Sequence, residues 1–182
     1  MASKQELRKQ VKEAKRLLTD AQKQQQADNA FSIIENLHEF SEAKAILIYH
    51  SLPDELPTKQ VIEHWSKIKN LLLPRVDGDD LRLFAYDPQK LEYGNYGIVE
   101  PQLTCEEWNI KDVDLVIVPA VAFDAQGHRL GRGKGFYDRL LSSSSAIKIG
   151  VALDCQMTYC VPNDAHDINM DIVVSNTTLF RK

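Results

Sequence analysis

The chain has 182 residues and a formal net charge of −4, with 43% hydrophobic and 26% charged residues. This composition is typical of a globular protein of one domain, and we expect a single domain spanning residues 1–182. No apolar stretch approaches the roughly 20 residues that cross a bilayer. The charged N-terminus also lacks the apolar core of a signal peptide. We therefore expect a cytoplasmic protein with no membrane partner.

Positive charge is concentrated in two segments of an otherwise acidic chain, residues 1–23 and residues 124–139. A nucleic-acid-binding protein usually carries an extended basic surface that neutralises many phosphates. Two short basic segments indicate a compact anionic ligand instead. The sequence therefore predicts no nucleic-acid partner.

The three cysteines, Cys105, Cys155 and Cys160, are odd in number and form no C-x-x-C pair. They fit a reducing compartment better than a disulfide framework. We expect buried, unreactive thiols. A metal shared by Cys155, Cys160 and His166 is the alternative.

The predicted elements alternate between helices and short apolar strands. Ser3 and Glu6 have the spacing of a capping box, and apolar residues then recur at helical spacing to about Gln25. The further predictions are a helix with Ala27, Ala30, Ile33 or Ile34, and Leu37 on its inner face, a strand at Ala45–Tyr49, a helix capped by Thr58, a strand at Leu71–Leu73 ending at Pro74, a strand at Leu81–Tyr86, a loop at Gly94–Pro101, a helical turn opened by a Thr104–Glu107 capping box, a strand at Asp114–Val118, a helix at Phe136–Leu141, and strands at Ile147–Ala152 and Ile172–Val174. This alternation predicts an α/β fold with a mostly parallel sheet and helices on both faces.

The segment between residues 131 and 135 carries the strongest chemical signal. Glycine occupies every second position, and Arg132 and Lys134 stand between the glycines. Glycine permits positive φ, and successive exposed N–H groups then form a concavity that binds anions. The pattern lacks the spacing of a dinucleotide fingerprint or a Walker loop. A phosphate-binding loop is the favoured interpretation, and a solvated basic turn is the alternative.

Lys4 and Arg8 lie four residues apart, so their side chains project from one face of the first helix. The positive end of the helix dipole disfavours a cation at the first helical position, and a bound anion would reverse that effect. The residues alone favour the alternative, a solvated basic face partnered by Glu6 and Glu13.

Two aspartates are candidate metal ligands, because phosphoryl transfer requires cations that neutralise the phosphate charge. Asp138 closely follows the glycine segment, and Asp171 opens the last apolar strand. Strand ends border the ligand crevice of α/β sheets. Either aspartate could instead cap a helix or form an ion pair.

The segments Val118–Asp124 and Gly127–Arg139 closely resemble the signature of the 5-formyltetrahydrofolate cyclo-ligase family, also called 5,10-methenyltetrahydrofolate synthetases. Segments similar to that family's other motifs follow the expected order: Lys4-x-x-x-Arg8, Ser51–Glu55, Gly97–Pro101 and Asp171–Ser175. The resemblance implies a fold of the sugar-phosphate isomerase and CoA-transferase type.

The resemblance also implies roles for individual residues. The implied ATP contacts are Lys4, Arg8, Arg129, Leu130, Gly131, Arg132, Gly133, Lys134, Gly135, Phe136 and Tyr137. The implied folate contacts are Leu52, Glu55 and Tyr96, together with Arg132, Gly133, Lys134, Gly135 and Phe136. Asp138 and Asp171 would bind Mg²⁺, and Arg132 and Lys134 would supply the catalytic charge. Members of the family often carry an acid shortly after the position of Glu55, where this chain has Pro57, so no pterin contact is expected from that position. Phe136 replaces a frequent tyrosine and lacks its hydroxyl group.

The implied reaction is the ATP- and Mg²⁺-dependent cyclisation of 5-formyltetrahydrofolate to 5,10-methenyltetrahydrofolate, with release of ADP and phosphate. The expected assembly is a monomer or a weak homodimer. Two alternatives remain at this point: a sugar-phosphate isomerase or CoA-transferase-like enzyme on the same fold, and a non-catalytic nucleotide-binding module.

Overall fold

The computed structural model describes residues 3–182, except for the side chain of Asn95. The helices are α1 (Lys4–Arg16), α2 (Asp20–Glu35), α3 (His38–Glu42), α4 (Lys59–Trp65) and α5 (Phe136–Leu141). The strands are β1 (Ala45–Leu47), β2 (Asn70–Asp77), β3 (Asp80–Ala85), β4 (Leu91–Tyr93), β5 (Val99–Pro101), β6 (Glu107–Trp108), β7 (Leu115–Val118), β8 (Ala122–Phe123), β9 (Arg129–Leu130), β10 (Ile147–Ala152), β11 (Ile172–Ser175) and β12 (Leu179–Arg181).

The main sheet has eight strands in the order β12-β11-β10-β7-β1-β2-β3-β6. The five strands from β11 to β2 run parallel to one another. The remaining strands, β12 at one edge and β3 and β6 at the other, pair antiparallel. Two small hairpins, β4-β5 and β8-β9, lie outside this sheet. The predicted α/β class with a mostly parallel sheet is confirmed.

Apolar side chains cover both faces of the sheet. On one face, α2, α3 and α4 contribute Phe31, Phe40 and Trp65, and the Trp65 ring contacts the other two rings. On the other face, Phe123 and Leu141 pack against alternate residues of the same strands. A Cβ atom added to Gly150 of β10 would lie 2.4 Å from the Phe123 ring, so this strand position requires glycine. The predicted helices on both faces are confirmed.

The first predicted helix is two helices in the structure. Helix α1 ends at Arg16, and α2 begins after a second capping box in which Thr19 Oγ1 accepts from the Gln22 N–H at 3.2 Å. The Gln22 side chain accepts in return from the Thr19 N–H at 2.9 Å. The prediction of a helix continuing to Gln25 was wrong because this capping box, which starts a new helix, was overlooked.

Three other local predictions were wrong. Thr104 opens no helix, because the chain at Glu107–Trp108 pairs with β3 as an edge strand. Thr58 donates its hydroxyl to the Tyr49 carbonyl at 2.8 Å and makes no cap bond to α4. Strand β2 continues through Pro74. The proline is tolerated because β2 pairs with β1 only as far as Leu72, and beyond that residue it pairs with β3 alone.

Within residues 3–182, no helix has the length and apolar character needed to cross a membrane.

Candidate nucleotide- and substrate-binding site

One large cavity, with a volume of about 760 Å³, opens where β1, β2 and β7 end at their carboxyl termini. Ligands of parallel α/β sheets bind at this edge. The cavity is lined by Lys4, Arg8, Leu52, Glu55, Tyr96 and every residue from Arg129 to Asp138. The structure therefore brings together all the predicted site residues except Asp171.

The glycine loop, residues 131–135, has the backbone conformation that its sequence suggested. Gly133 and Gly135 have φ angles of +99° and +69°, in the region that glycine adopts readily. The strand directly before the loop is β9. The predicted preceding strand, β7, is separated from the loop by the hairpin β8-β9. Helix α5 then begins at Phe136, as predicted.

Lys4 and Arg8 form polar bonds with other residues that line or adjoin the cavity. Lys4 Nζ lies 2.6 Å from Asp164 Oδ2 and 3.0 Å from Asp167 Oδ2. These bonds, the one to Asp164 most strongly, raise the pKa of Lys4. Arg8 Nε donates to the Gly131 carbonyl at 3.1 Å, and this bond joins α1 to the glycine loop.

The alternative interpretation, in which Glu6 and Glu13 are the partners of Lys4 and Arg8 on a solvated face, is therefore wrong. Glu6 completes the Ser3 capping box. Glu13 accepts from Arg16 at 2.8 Å on the exposed side of α1. Neither acid holds Lys4 or Arg8, so the two cations remain directed to the cavity.

Asp54, which the sequence did not single out, joins three parts of the site. Its Oδ1 accepts from Arg132 Nη2 at 2.6 Å, and its Oδ2 accepts from Lys15 Nζ at 2.9 Å. Lys15 is buried and donates a further bond to the Asp54 carbonyl. Glu55 Oε1 also accepts from Arg132 Nη2, at 3.2 Å. The loop after β1, helix α1 and the glycine loop thus share one network of charged groups.

This network predicts a pH-dependent stability. Burial raises the pKa of Asp54, but the bonds from Lys15 and Arg132 together outweigh it and lower that pKa. A carboxylate whose pKa is lowered on folding stabilises the fold at pH values above the ordinary Asp pKa of about 3.9. This contribution is lost as the pH falls further. We expect Asp54→Asn to be less stable than the wild type at pH 7, with the difference shrinking below about pH 4.

Urea denaturation of the two proteins across this range measures the difference. Asp28→Asn on α2 is a matched control, because the Asp28 carboxylate bonds to the neutral amide of Gln24. A difference between wild type and Asp54→Asn that is the same at pH 7 and pH 3 would contradict the expectation.

Asp138 is an ion-pair partner and not a helix cap. Its Oδ1 accepts from Arg129 Nη2 at 2.5 Å and from the Ile168 N–H at 3.1 Å. The cap position of α5 is Gly135, where no side chain supplies a bond. The Oδ2 atom of Asp138 has no hydrogen bond to the described residues. Its carboxylate therefore presents a hard oxygen donor at the cavity wall, the ligand type that Mg²⁺ prefers.

Arg129 is buried behind this carboxylate and also lines the cavity. Its Nε has no hydrogen-bond partner among the described residues, although the atom is inaccessible to solvent. Buried donors normally have a partner, because an unpaired one costs about 1–3 kcal/mol. The arrangement fits a site in which a ligand supplies the hydrogen-bond acceptor that Arg129 lacks.

The structure does not bring Asp171 to the cavity. Asp171 Oδ2 accepts from the backbone N–H of Lys148 and from its Nζ, both at 2.8 Å. The residue precedes β11, so it lies at the amino end of the parallel strands, whereas the cavity lies at their carboxyl ends. The prediction that Asp171 binds a metal was wrong, because Asp171 lies at the strand end opposite the cavity. The alternative, in which Asp171 forms an ion pair, is correct.

Lys134, like Arg8, has no ion pair within the described part of the chain. Its Nζ lies 5.8 Å from the centre of the Tyr96 ring. Tyr96 is exposed and has a φ angle of +63°, an uncommon conformation for a tyrosine. This ammonium group is therefore available to an anion without displacing a carboxylate.

The cavity has a second, apolar end that the sequence analysis did not identify. Pro74, Val76, Leu81 and Ile98 line it, together with the buried residue Glu100. The alternating residues of Leu81–Tyr86 indicate a half-exposed strand, but local patterns carry no information about the hairpin β4-β5 that covers this end of the cavity.

The cysteines form no site of their own. Cys105 is buried as expected, whereas Cys155 and Cys160 are only partly buried. The cluster of possible metal ligands found among residues 3–182 consists of Asp164, His166 and Asp167, and includes no cysteine. The Cys-Cys-His alternative is therefore wrong.

A mostly parallel sheet, a cationic glycine loop and a cavity with one apolar end define an α/β protein whose cavity places positive charge beside an apolar surface. The chain belongs to the 5-formyltetrahydrofolate cyclo-ligase family, whose model matches residues 1–176. It is accordingly a ligase of folate one-carbon metabolism.

Individual relatives agree with this assignment along the full chain. The 5-formyltetrahydrofolate cyclo-ligase of Haemophilus influenzae is 33% identical over 94% of this chain and 97% of its own length. The Escherichia coli K12 protein of the same name is 32% identical over 93% and 98%, respectively. The solved structure of Aquifex aeolicus 5,10-methenyltetrahydrofolate synthetase superimposes with a TM-score of 0.89 at 36% identity, covering 98% of this chain and 92% of that one.

Proposed function

We propose that this chain catalyses the ATP-dependent cyclisation of 5-formyltetrahydrofolate to 5,10-methenyltetrahydrofolate, with release of ADP and phosphate. The observation that carries the proposal is a cavity in which the cationic loop and an apolar end lie side by side. One wall fits phosphates and the other fits a flat ring. A reaction that phosphorylates a folate needs both within reach of each other.

The proposed reaction has two steps. The formyl oxygen attacks the γ-phosphorus of ATP, and the bond from that phosphorus to the ADP oxygen breaks. N10 then attacks the activated formyl carbon, the carbon–oxygen bond breaks, phosphate leaves and N10 loses its proton. A formyl oxygen is a weak nucleophile and a poor leaving group, so catalysis depends on positioning and on neutralising phosphate charge.

The residues of the glycine loop suit these requirements. The positive φ angles of Gly133 and Gly135 favour a backbone that presents N–H groups to phosphate oxygens. Lys134 adds a charge without an ion pair to break. Arg132 would exchange its bonds to Asp54 and Glu55 for bonds to the transferred phosphoryl group. Lys4 and Arg8 would hold the rest of the nucleotide.

Asp138 is the residue that we propose to hold Mg²⁺ in the complex, through its Oδ2 atom. When bound, Mg²⁺ would neutralise phosphate charge, and it needs only one or two carboxylates in addition to phosphate and water. Arg129 fixes the other carboxylate oxygen, so the orientation of Asp138 is set before ligands bind. We propose further a monomer or weak homodimer, a cytoplasmic location and no nucleic-acid partner.

The direct test is an assay of the purified protein with ATP, Mg²⁺ and 5-formyltetrahydrofolate, in which the absorbance of the methenyl product is followed. We expect product formation that requires ATP and yields one ADP for each product molecule. Absence of the product under these conditions, with a protein shown to be folded, would overturn the proposed function.

A further inference from the structure

The carboxylates that line the cavity differ in how their charge is balanced. These carboxylates are Glu55, Glu100, Asp138 and Asp167. Glu55 accepts from Arg132 through Oε1 and from the Leu52 N–H through Oε2. Asp138 accepts from Arg129, and Asp167 accepts from Lys4. Each of these three is therefore bound to a cation in the absence of ligand.

Glu100 is the exception among the described residues. Its side chain lies on β5 with only 2% of the residue exposed. Its Oε1 accepts from the Val76 N–H at 3.2 Å, and no cation donates to it. The neighbouring Arg75 donates instead to Glu92 and to the Pro101 carbonyl.

The remaining oxygen of Glu100 lies in a space kept open by glycine. A Cβ atom added to Gly94 would lie 1.9 Å from Oε2, so the chain passes close to this oxygen at a residue without a side chain. Burial raises the pKa of Glu100 more than the Val76 bond and Arg75 lower it. A buried carboxylate with one neutral donor is poorly solvated, and further N–H donors from a ligand would offset that cost.

The surroundings of Glu100 specify the shape of such a ligand. Val76 and Leu81 are cross-strand neighbours in the sheet, and with Ile98 they form an apolar wall. Anionic groups are excluded from this end by the carboxylate itself and are attracted to the glycine loop. A flat, largely apolar ring with an edge of hydrogen-bond donors would suit this end of the cavity.

We propose that Glu100 accepts hydrogen bonds from the 2-amino group and the N3–H of the pterin ring of the substrate. These two donors lie side by side on one edge of the pterin and match the two oxygens of a carboxylate. The contact makes Glu100 a specificity-determining residue that orients the folate with its formyl group toward the glycine loop. The inference rests on the proposed function, since it names the contact that recognises the same substrate.

The experiment compares 5-formyltetrahydrofolate with its 2-desamino-2-methyl analogue in the wild type and in Glu100→Gln. The wild type is expected to prefer the natural substrate in kcat/KM by roughly 10- to 150-fold, the range for a hydrogen bond to a charged group. Glu100→Gln is expected to raise the KM for the natural substrate by a factor in the same range and to lose most of the preference. The KM for ATP is expected to stay unchanged in the variant.

Glu106→Gln is the matched control, because Glu106 is exposed and lies outside the cavity. Thermal unfolding checks that Glu100→Gln folds. A variant that keeps the full wild-type preference would overturn the proposal, and so would a wild type that turns over the analogue as well as the natural substrate. The second measurement needs no variant. Both outcomes differ from failure of the proposed function, in which the wild type would form no product from the natural substrate.

Discussion

Replacing Lys134 by glutamine is expected to lower kcat/KM for ATP by roughly 10- to 150-fold, the equivalent of about 1.5–3 kcal/mol for a charge-assisted hydrogen bond. The loss should be large because Lys134 has no ion pair among the described residues, so its charge is available to the ligand. The fold should survive, since the loop conformation depends on backbone angles at Gly133 and Gly135. Steady-state kinetics with varied ATP measures the effect.

The control for this variant is Lys67→Gln, which removes the same charge from an exposed position outside the cavity. It should leave the kinetics unchanged. If a correctly folded Lys134→Gln protein keeps its kcat/KM for ATP, Lys134 is not a phosphate contact, and the cation–π contact with Tyr96 would account for its position.

Asp138→Asn is expected to raise the Mg²⁺ concentration that gives half-maximal activity by roughly tenfold, equivalent to about 1.4 kcal/mol. The amide oxygen can still accept the bonds that Arg129 and Ile168 donate, so the side chain should keep its position. The amide removes the negative charge that a hard cation requires. A Mg²⁺ titration of activity measures the shift, with Asp28→Asn as the charge-matched control.

The same titration separates two roles of Asp138. A residue that only orients Arg129 would lower the maximal rate at every Mg²⁺ concentration without moving the midpoint. A midpoint equal to that of the wild type would therefore exclude Asp138 as a metal ligand and leave it as the ion-pair partner of Arg129.

Features that depend on neighbouring residues in the chain were predictable. The Ser3 capping box, the apolar strands and the alternating glycines of the loop each act within a few residues, and the structure contains all of them. The loop could also be matched to a family signature, because a signature is a pattern of neighbouring residues. The predicted extent of the first helix was wrong because a competing local signal, the Thr19 capping box that starts a new helix, was overlooked.

Features that depend on where strands end in space were not predictable from local patterns. From the sequence, Asp138 after the glycine loop and Asp171 at the start of a strand were both candidate metal ligands. The parallel sheet places Asp138 at the cavity and Asp171 at its opposite edge, where Lys148 binds it.

The sequence by itself determined that this chain has an α/β fold, a cationic glycine loop and the signature of its family, because periodicity, turn residues and motif spacing are local properties. Only the tertiary structure decided which charges meet. Asp54 lies 78 positions from Arg132 in the chain, yet the two side chains bond at 2.6 Å. Glu100 accepts a bond from the Val76 N–H and from no cation among the described residues, because the hairpin β4-β5 packs it against β2. Burial and ion pairing are sums over the whole packed chain, so neither can be read from the residues beside each acid.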